Sequence, residues 1–217
     1  MTFTTGDTPE PPGTTPPDRD ILEHLTAPTD DAAALARLRA RLVDDADRNG
    51  LLDLSYRTMD SPLGRLLLAA TPDGLVRVAF ERENHDAVLT ELATAISPRI
   101  LHASRVVDAV ARQLDEYFAG RRRRFDVPVD LQLARGFRRT VLMHLQAIPY
   151  GSTESYAVVA RAAGSPAAVR AVGSACATNP VPLVVPCHRV VRSDGTIGQY
   201  RGGTEAKHTL LAMEAAR

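Results

Sequence analysis

The sequence contains only two cysteines among its 217 residues, Cys176 and Cys187. Two cysteines are too few for a disulfide framework, and a reducing compartment keeps both as thiols. Neither belongs to a CxxC pair or to a cysteine and histidine cluster with the spacing of zinc ligands. We therefore expect no metal and no cofactor, and the chemical question is whether either thiol is reactive.

Long apolar runs are also absent. No stretch approaches the roughly 20 apolar residues of a membrane-spanning helix, and the N-terminus lacks the basic and apolar regions of a signal peptide. The composition, 44% hydrophobic and 24% charged, is typical of a globular protein with one sizeable core or two small ones. We expect a cytoplasmic protein with no membrane contact.

The formal net charge is zero, but the charges are unevenly distributed. Residues 135–217 carry 10 Lys and Arg against 4 Asp and Glu, whereas residues 1–134 carry 16 against 22. The positive excess in the last part suits a surface that contacts phosphates, although a solvated basic face gives the same count.

The first fifty residues differ from the rest of the chain in composition and in the pattern of their apolar residues. Residues 1–18 are rich in Pro, Thr and Asp, which predicts a disordered tail. Over residues 21–48 apolar residues recur at helical spacing among many charges, which predicts one or two amphipathic helices. The sequence assigns no function to residues 1–50.

Residues 51–131 are predicted to form a small α/β scaffold domain. Apolar runs bounded by turn residues predict strands, and helical periodicity predicts helices. The strands are expected at residues 54–58, 64–70, 75–81 and 125–129, and the helices at about 85–96 and 103–118. Pro128 suits an edge strand. The arginines at 121–124 fit a solvated loop, with DNA contact as the alternative.

The last region, residues 132–217, begins with a predicted helix over 134–148. Ser155 is a suitable N-cap for a helix over 156–163 that a glycine ends, and Ser165 predicts the start of a second helix. Two helices joined by a glycine turn fit a helix-turn-helix and equally an ordinary helical hairpin.

The second helix of this pair consists almost entirely of small residues, with Arg170 as its one long cation. Reading bases in the major groove usually needs several long polar side chains, so sequence-specific recognition is not expected. A smooth helix suits the minor groove, roughly 6 Å wide, where Arg170 could enter the base stack. Alternatively, the small residues pack against the neighbouring helix and Arg170 is a surface charge.

A proline-rich turn after Asn179 and a short apolar strand at residues 183–185 predict a fixed position for Cys187. Apolar burial makes a thiol inert, so a reactive Cys187 needs a neighbour that favours the thiolate, and His188 is the candidate base. Adjacent residues on a strand face opposite sides, so His188 reaches the thiol only if the backbone turns or a water bridges them. An isolated Cys-His pair is otherwise an ordinary structural feature.

Five motifs in this region, taken together, resemble one family. They are Ser155-Tyr156, Arg170-Ala171-Val172-Gly173, Asn179-Pro180-Val181-Pro182, Pro186-Cys187-His188-Arg189-Val190 and Gly198-Gln199-Tyr200-Arg201-Gly202-Gly203. In this order they are similar to the O6-alkylguanine-DNA alkyltransferases. The resemblance covers residues 137–215 at motif level and residues 53–131 more loosely, and the first fifty residues lie outside it.

The resemblance implies an α/β fold: a small RNase H-like domain at 51–131, then a mostly helical domain at 132–217 with a winged-helix-like helix-turn-helix. It implies DNA repair, in which an alkyl group passes from O6-alkylguanine to Cys187 and each molecule acts once. O4-alkylthymine is a further candidate substrate. The expected protein is a monomer that binds double-stranded DNA mainly through the minor groove and flips the damaged base into a pocket.

The resemblance also implies roles for individual residues. His188 is the base for Cys187 through a bridging water, and Glu214 is the acidic partner of His188. Asn179 braces the turn before the active site. The implied DNA-binding positions are Tyr156, Ala157, Ser165, Arg170 and Ser193, and the implied pocket positions are Pro182, Val190, Tyr200 and Arg201.

Arg201 departs from the family pattern, because some members have there a serine that helps to hold the oxygen bearing the alkyl group. The cysteines of relatives with a zinc-bound methyl-sensing domain are absent, so that transcriptional response is not expected. Two other classes stay open. A protein that recognises lesions without repairing them is disfavoured by Cys187, and a cysteine hydrolase would need turnover and an oxyanion site.

Overall fold

The computed structural model describes residues 31–102 and 105–216. The tail predicted at residues 1–18 lies outside the described residues. Helix α1 spans Asp31–Arg48, so the helical expectation for residues 21–48 is confirmed from residue 31 onward.

A four-stranded sheet follows α1. Its strands are β1 (Leu54–Met59), β2 (Leu66–Thr71), β3 (Gly74–Phe80) and β4 (Ile100–His102), in the order β3-β2-β1-β4. In this sheet β1 pairs with β4 in parallel, whereas the β1–β2 and β2–β3 pairs are antiparallel. The first three strands confirm the predictions within two residues at either end. Strand β4 was not predicted, because three residues are too few to show a period.

Every residue of β2 and β3 is buried because the central sheet is covered on both faces. Leu66 and Leu68 belong to the large core cluster, and Leu67 between them belongs to a second, smaller cluster. This alternation follows from the two-residue period of a strand. Helix α2 (His85–Ala95) contributes to the smaller cluster and α3 (Arg105–Phe118) to the larger one, as the helical predictions require.

The strand predicted at residues 125–129 is wrong. The structure forms a single bridge there, in which Leu75 N donates to Pro128 O and Asp130 N donates to Leu75 O, both at 2.9 Å. Pro128 has no N–H with which to extend the ladder. The close approach also explains Gly74, because a Cβ at this position would lie 2.5 Å from Pro128 O.

The remaining elements are mostly helical. They are α4 (Gly136–Leu145), α5 (Tyr156–Ala162), α6 (Val169–Ala177) and α7 (Thr204–Ala215), with two short strands, β5 (Glu154–Ser155) and β6 (Val190–Val191). Strands β5 and β6 pair in parallel, so the start of α5 lies beside the segment that carries Cys187. The large core cluster includes residues from both the sheet region and these helices.

The N-cap prediction for α5 is confirmed, since Ser155 Oγ accepts a hydrogen bond from Val158 N at 3.3 Å. The prediction that Ser165 caps the second helix is wrong. Ala168 N donates to Ser165 O at 2.9 Å in a separate turn, and α6 begins only at Val169. A proline after a serine suits either a helix start or a turn, and here it forms the turn.

Candidate active site

Cys187 begins a 3-10 helix, Cys187–Arg189, and does not follow a strand. The strand predicted at residues 183–185 is wrong, because these residues form turns and Leu183 has a positive φ of 75°. Successive side chains of a 3-10 helix are separated by about 120° and not by the half-turn of a strand. The backbone therefore turns at Cys187, which is one of the two conditions under which His188 could reach the thiol.

The Asn179 side chain accounts for this turned path. Its Oδ1 accepts a hydrogen bond from Val181 N at 3.0 Å, and its Nδ2 donates to Val185 O at 2.9 Å. The same amide nitrogen donates to Cys187 Sγ at 3.1 Å. One buried side chain thus fixes the turn and contacts the sulfur.

The Cys187 thiol is almost completely buried. Burial raises the pKa of Cys187 to about 11, although the hydrogen bond from Asn179 and the charge of Lys207 act in the opposite direction. Cys176 is also buried, and burial raises its pKa further above the usual range. At neutral pH Cys187 is therefore a thiol that needs a base to become a nucleophile.

His188 is completely buried next to this thiol, and its Nε2 lies 2.9 Å from Glu214 Oε1. Its Nδ1 is buried and has no hydrogen-bond partner within the described residues. Burial lowers the pKa of His188 below 6.5, and the hydrogen bond and charge of Glu214 only partly oppose this effect. The imidazole is therefore neutral at neutral pH, with a nitrogen available to accept a proton.

Glu214 receives hydrogen bonds from several parts of the chain. Its oxygens accept from Arg189 Nε and an Arg189 terminal nitrogen at 2.9 Å each, from Tyr117 Oη at 2.6 Å and from Gly151 N at 3.1 Å. Burial alone raises the pKa of this carboxyl, but the hydrogen bonds from His188 and Arg189 outweigh burial and hold the pKa well below its usual range. Sequence reasoning missed Arg189 and Tyr117.

Lys207 is a further residue that sequence reasoning missed. It is completely buried, its Nζ donates to Val190 O at 2.5 Å, and the same nitrogen lies 5.9 Å from the centre of the Tyr156 ring. Burial lowers the pKa of Lys207, whereas the nearby sulfurs of Cys187 and Cys176 raise it. The signal was available in the sequence, because Lys207 is the only lysine in a chain otherwise rich in arginine.

The five positions implied to contact DNA lie on α5, on α6 and in the loops beside them. Tyr156 begins α5 and is half-buried, and burial raises its pKa to about 12, so it stays protonated. Arg170, the second residue of α6, is exposed, as is Ser193 after β6. Ala157 and Ser165 are half-buried.

The four implied pocket positions differ in their burial and in the contacts that they make. Pro182 and Tyr200 are buried, and the ring centre of Tyr200 lies 6.3 Å from that of His188. The Tyr200 hydroxyl is buried without a hydrogen-bond partner in the described part of the chain. The Arg201 side chain forms an ion pair with Glu83, near the end of β3. The main-chain oxygen of Val190 accepts the hydrogen bond from Lys207 Nζ.

Two further findings apply to the described ranges, 31–102 and 105–216. No three His, Cys, Asp or Glu side chains in them are grouped so as to hold a metal ion. None of the helices there is long and apolar enough to span a bilayer.

Two family models match the chain. The model described as 6-O-methylguanine DNA methyltransferase, ribonuclease-like domain, matches residues 54–131, and the model of the DNA binding domain of the same enzyme matches residues 136–216. The expected order, a ribonuclease-like α/β domain followed by a mostly helical DNA-binding domain, is confirmed.

Curated relatives and solved structures agree with these matches. The methylated-DNA–protein-cysteine methyltransferase of Mycolicibacterium paratuberculosis is 40% identical over 161 residues, covering 74% of this chain and 92% of the relative. The constitutive enzyme of Bacillus subtilis is 37% identical over 163 residues, covering 73% and 94%. The crystal structure of the Mycobacterium tuberculosis O6-methylguanine methyltransferase matches with a TM-score of 0.66 at 36% identity, covering 76% and 94%. A structure of Mycobacterium tuberculosis OGT in complex with DNA matches with a TM-score of 0.64 at 35% identity, covering 75% and 93%.

Proposed function

Because the chain belongs to the 6-O-methylguanine DNA methyltransferase family, we propose that it repairs alkylated DNA by transferring the alkyl group of O6-alkylguanine to Cys187. The partner is double-stranded DNA, and the acceptor is the protein itself. The observation that carries the assignment of Cys187 is its place between Asn179, which contacts the sulfur, and the buried His188–Glu214 pair.

The geometry supports a proton path away from the sulfur. His188 Nε2–H donates to Glu214, which leaves Nδ1 as the acceptor for a proton that a water carries from Cys187. Glu214 then stabilises the imidazolium by its negative charge. The thiolate attacks the alkyl carbon, an S–C bond forms, and the bond between this carbon and O6 breaks. The guanine leaves with that electron pair and takes up a proton, so the thiol's proton ends on the guanine in the net reaction.

The alkylated Cys187 explains why each protein molecule acts only once. A buried thioether is stable to water, and hydrolysis would need an activated water and a site for the developing charge. The alkyl group therefore stays on the protein, and each molecule repairs one lesion.

Access to the lesion requires that the nucleotide leave the duplex, at a few kcal/mol. Arg170 is exposed on a helix of small residues, so it fills the space that the nucleotide leaves. Tyr156 stays protonated and donates to the base or crowds its phosphate. Ala157, Ser165 and Ser193 contact the DNA backbone, where small side chains and main-chain amides suit phosphates.

The proposal extends to the assembly, the location and the domains of the protein. The protein acts as a monomer. It acts in the cytoplasm, where the acceptor thiol stays reduced. Residues 51–131 form the scaffold domain and residues 132–217 the catalytic domain, with residues 1–50 as an extension.

The test is the intact mass of the protein after mixing with duplex DNA that contains O6-methylguanine. We expect a gain of one methylene, mapped to the peptide with Cys187, and an equal loss of the lesion. Cys187→Ala is expected to bind the DNA without repair, and Cys176→Ala, which removes the other buried thiol, is expected to gain the methylene. Repeated loss of the lesion without a change in mass would indicate a hydrolase. Binding by the wild type without loss of the lesion would indicate a recognition protein.

A further inference from the structure

The loop that follows β6 carries Tyr200 and is joined to the sheet region by an ion pair. Arg201 Nε donates to Glu83 Oε2, with the two side chains 26% and 12% exposed. Glu83 ends the 3-10 turn Glu81–Glu83 that follows β3. The ion pair thus links the loop that carries Tyr200 and Arg201 to a segment that is far away in the sequence.

Glu83 is itself held in place. Its Oε2 also accepts from an Arg77 terminal nitrogen at 2.6 Å, and its Oε1 accepts from Phe80 N at 2.9 Å. The Arg77 side chain is only 4% exposed. Burial opposes ionisation of Glu83, but the charge of Arg77 and these hydrogen bonds keep its pKa below the usual range. Arg201 therefore pairs with a fixed, ionised partner.

The loop lies directly against the same turn. The rings of Phe80 and Tyr200 contact each other edge to face, with centres 5.6 Å apart. A Cβ on Gly202 would lie 2.8 Å from the Phe80 ring, and a Cβ on Gly203 would lie 2.6 Å from an Arg82 nitrogen. Glycine at 202 permits the close approach to the Phe80 ring, whereas the positive φ of 95° favours glycine at 203.

We propose that the Arg201–Glu83 pair is a latch that holds Tyr200 over the alkyl pocket and thereby limits the size of the alkyl group that Cys187 accepts. The inference rests on the proposed function. Tyr200 lies between Phe80 on one side and His188 on the other, so a shift of the loop changes the space next to the acceptor. Arg201 is a positioning residue, because it acts through Tyr200.

The experiment compares single-turnover rate constants for O6-methylguanine and O6-benzylguanine, each in the same oligonucleotide, in Arg201→Ser and Glu83→Gln. Each variant is expected to raise the benzyl-to-methyl ratio by about tenfold, because a wider pocket chiefly favours the larger group. The double variant is expected to show no larger change than either single variant, as for two ends of one interaction. Arg201→Lys, which keeps the charge, is expected to restore most of the wild-type ratio.

Arg65→Ser is the matched control, because Arg65 is an exposed arginine paired with Asp60. It is expected to leave the ratio unchanged. An unchanged ratio in Arg201→Ser, or additive effects in the double variant, would overturn the latch.

A second measurement needs no DNA. Hydrogen exchange of the peptide over residues 198–203 is expected to be faster in Arg201→Ser than in the wild type, and unaltered in Arg65→Ser. Equal exchange in Arg201→Ser and the wild type would refute the latch, whatever the substrates show. A wild type that gains no methylene would refute the proposed function instead, so the two failures are distinguishable.

Discussion

His188 Nε2 and Glu214 Oε1 lie 2.9 Å apart, and both side chains are almost completely buried. Since the carboxylate accepts, the hydrogen of a neutral His188 is on Nε2 and the lone pair is on Nδ1. Glu214 therefore sets the tautomer that allows Nδ1 to act as a base.

The first prediction concerns the pH dependence of alkyl transfer. Burial lowers the pKa of His188 below 6.5, so the neutral base persists at pH 6.5 and is lost only at lower pH. The single-turnover rate constant with O6-benzylguanine is expected to fall below this pH. His188→Asn is expected to lower the rate about 10²-fold or more and to remove the fall in rate at low pH. A fall in rate with a midpoint above pH 6.5, or one that persists in His188→Asn, would contradict the role of His188 as the base.

The elements predicted correctly from sequence depend on local signals. Strands β1 to β3 follow from short apolar runs between turns, and Ser155 is a cap that acts on a residue three positions away. The strand predicted at residues 183–185 failed because an apolar run fits a buried turn as well as a strand. In the structure, the hydrogen bonds of the Asn179 side chain hold these residues in a turn.

The parts of the site that sequence could not supply depend on distant contacts. Tyr117 reaches Glu214 across 97 positions, and Glu83 reaches Arg201 across 118. No periodicity or spacing links residues so far apart, and only the packing of the sheet region against the helices brings them together. The family resemblance identified Glu214 but gave no role to Tyr117 or Glu83.

The second prediction concerns stability. Glu214→Gln removes the counter-charge of the buried Arg189 and is expected to lower the free energy of unfolding at pH 7 by about 3 kcal/mol, at the low end for a broken buried pair because glutamine retains some hydrogen bonds. Glu214 has a lowered folded-state pKa, so its stabilising effect is complete above the unfolded value of about 4.3 and decreases as pH falls toward the folded value. The difference between wild type and variant is therefore expected to shrink in acid.

Urea unfolding at neutral and acidic pH measures this difference. Glu205→Gln, an exposed change on the same helix, is the control and is expected to cost little. A loss for Glu214→Gln no larger than that of the control would contradict the prediction.

The third prediction concerns Lys207. Its charge lowers the pKa of Cys187, so Lys207→Met is expected to raise that pKa and to slow alkyl transfer at neutral pH by about tenfold, equal to one pKa unit. The difference in rate between the wild type and Lys207→Met is expected to become smaller as pH rises. Methionine removes a buried charge but leaves Val190 O without its donor, so the free energy of unfolding is expected to fall by no more than about 2 kcal/mol. His208→Met, exposed on the same helix, is the control. A rate loss explained by a loss of stability would refute this role.

The fourth prediction concerns Arg170 and separates extrusion of the base from the chemical step. Arg170→Ala is expected to slow repair of O6-methylguanine in a duplex by about tenfold, because the flipped nucleotide leaves an unfilled gap whose cost is a few kcal/mol. Reaction with free O6-benzylguanine requires no flipping and is expected to change little. Arg112→Ala removes the same charge from an exposed position on α3 and reports the effect of net charge alone. Equal losses on duplex and free base would show that Arg170 acts on the pocket and not on extrusion.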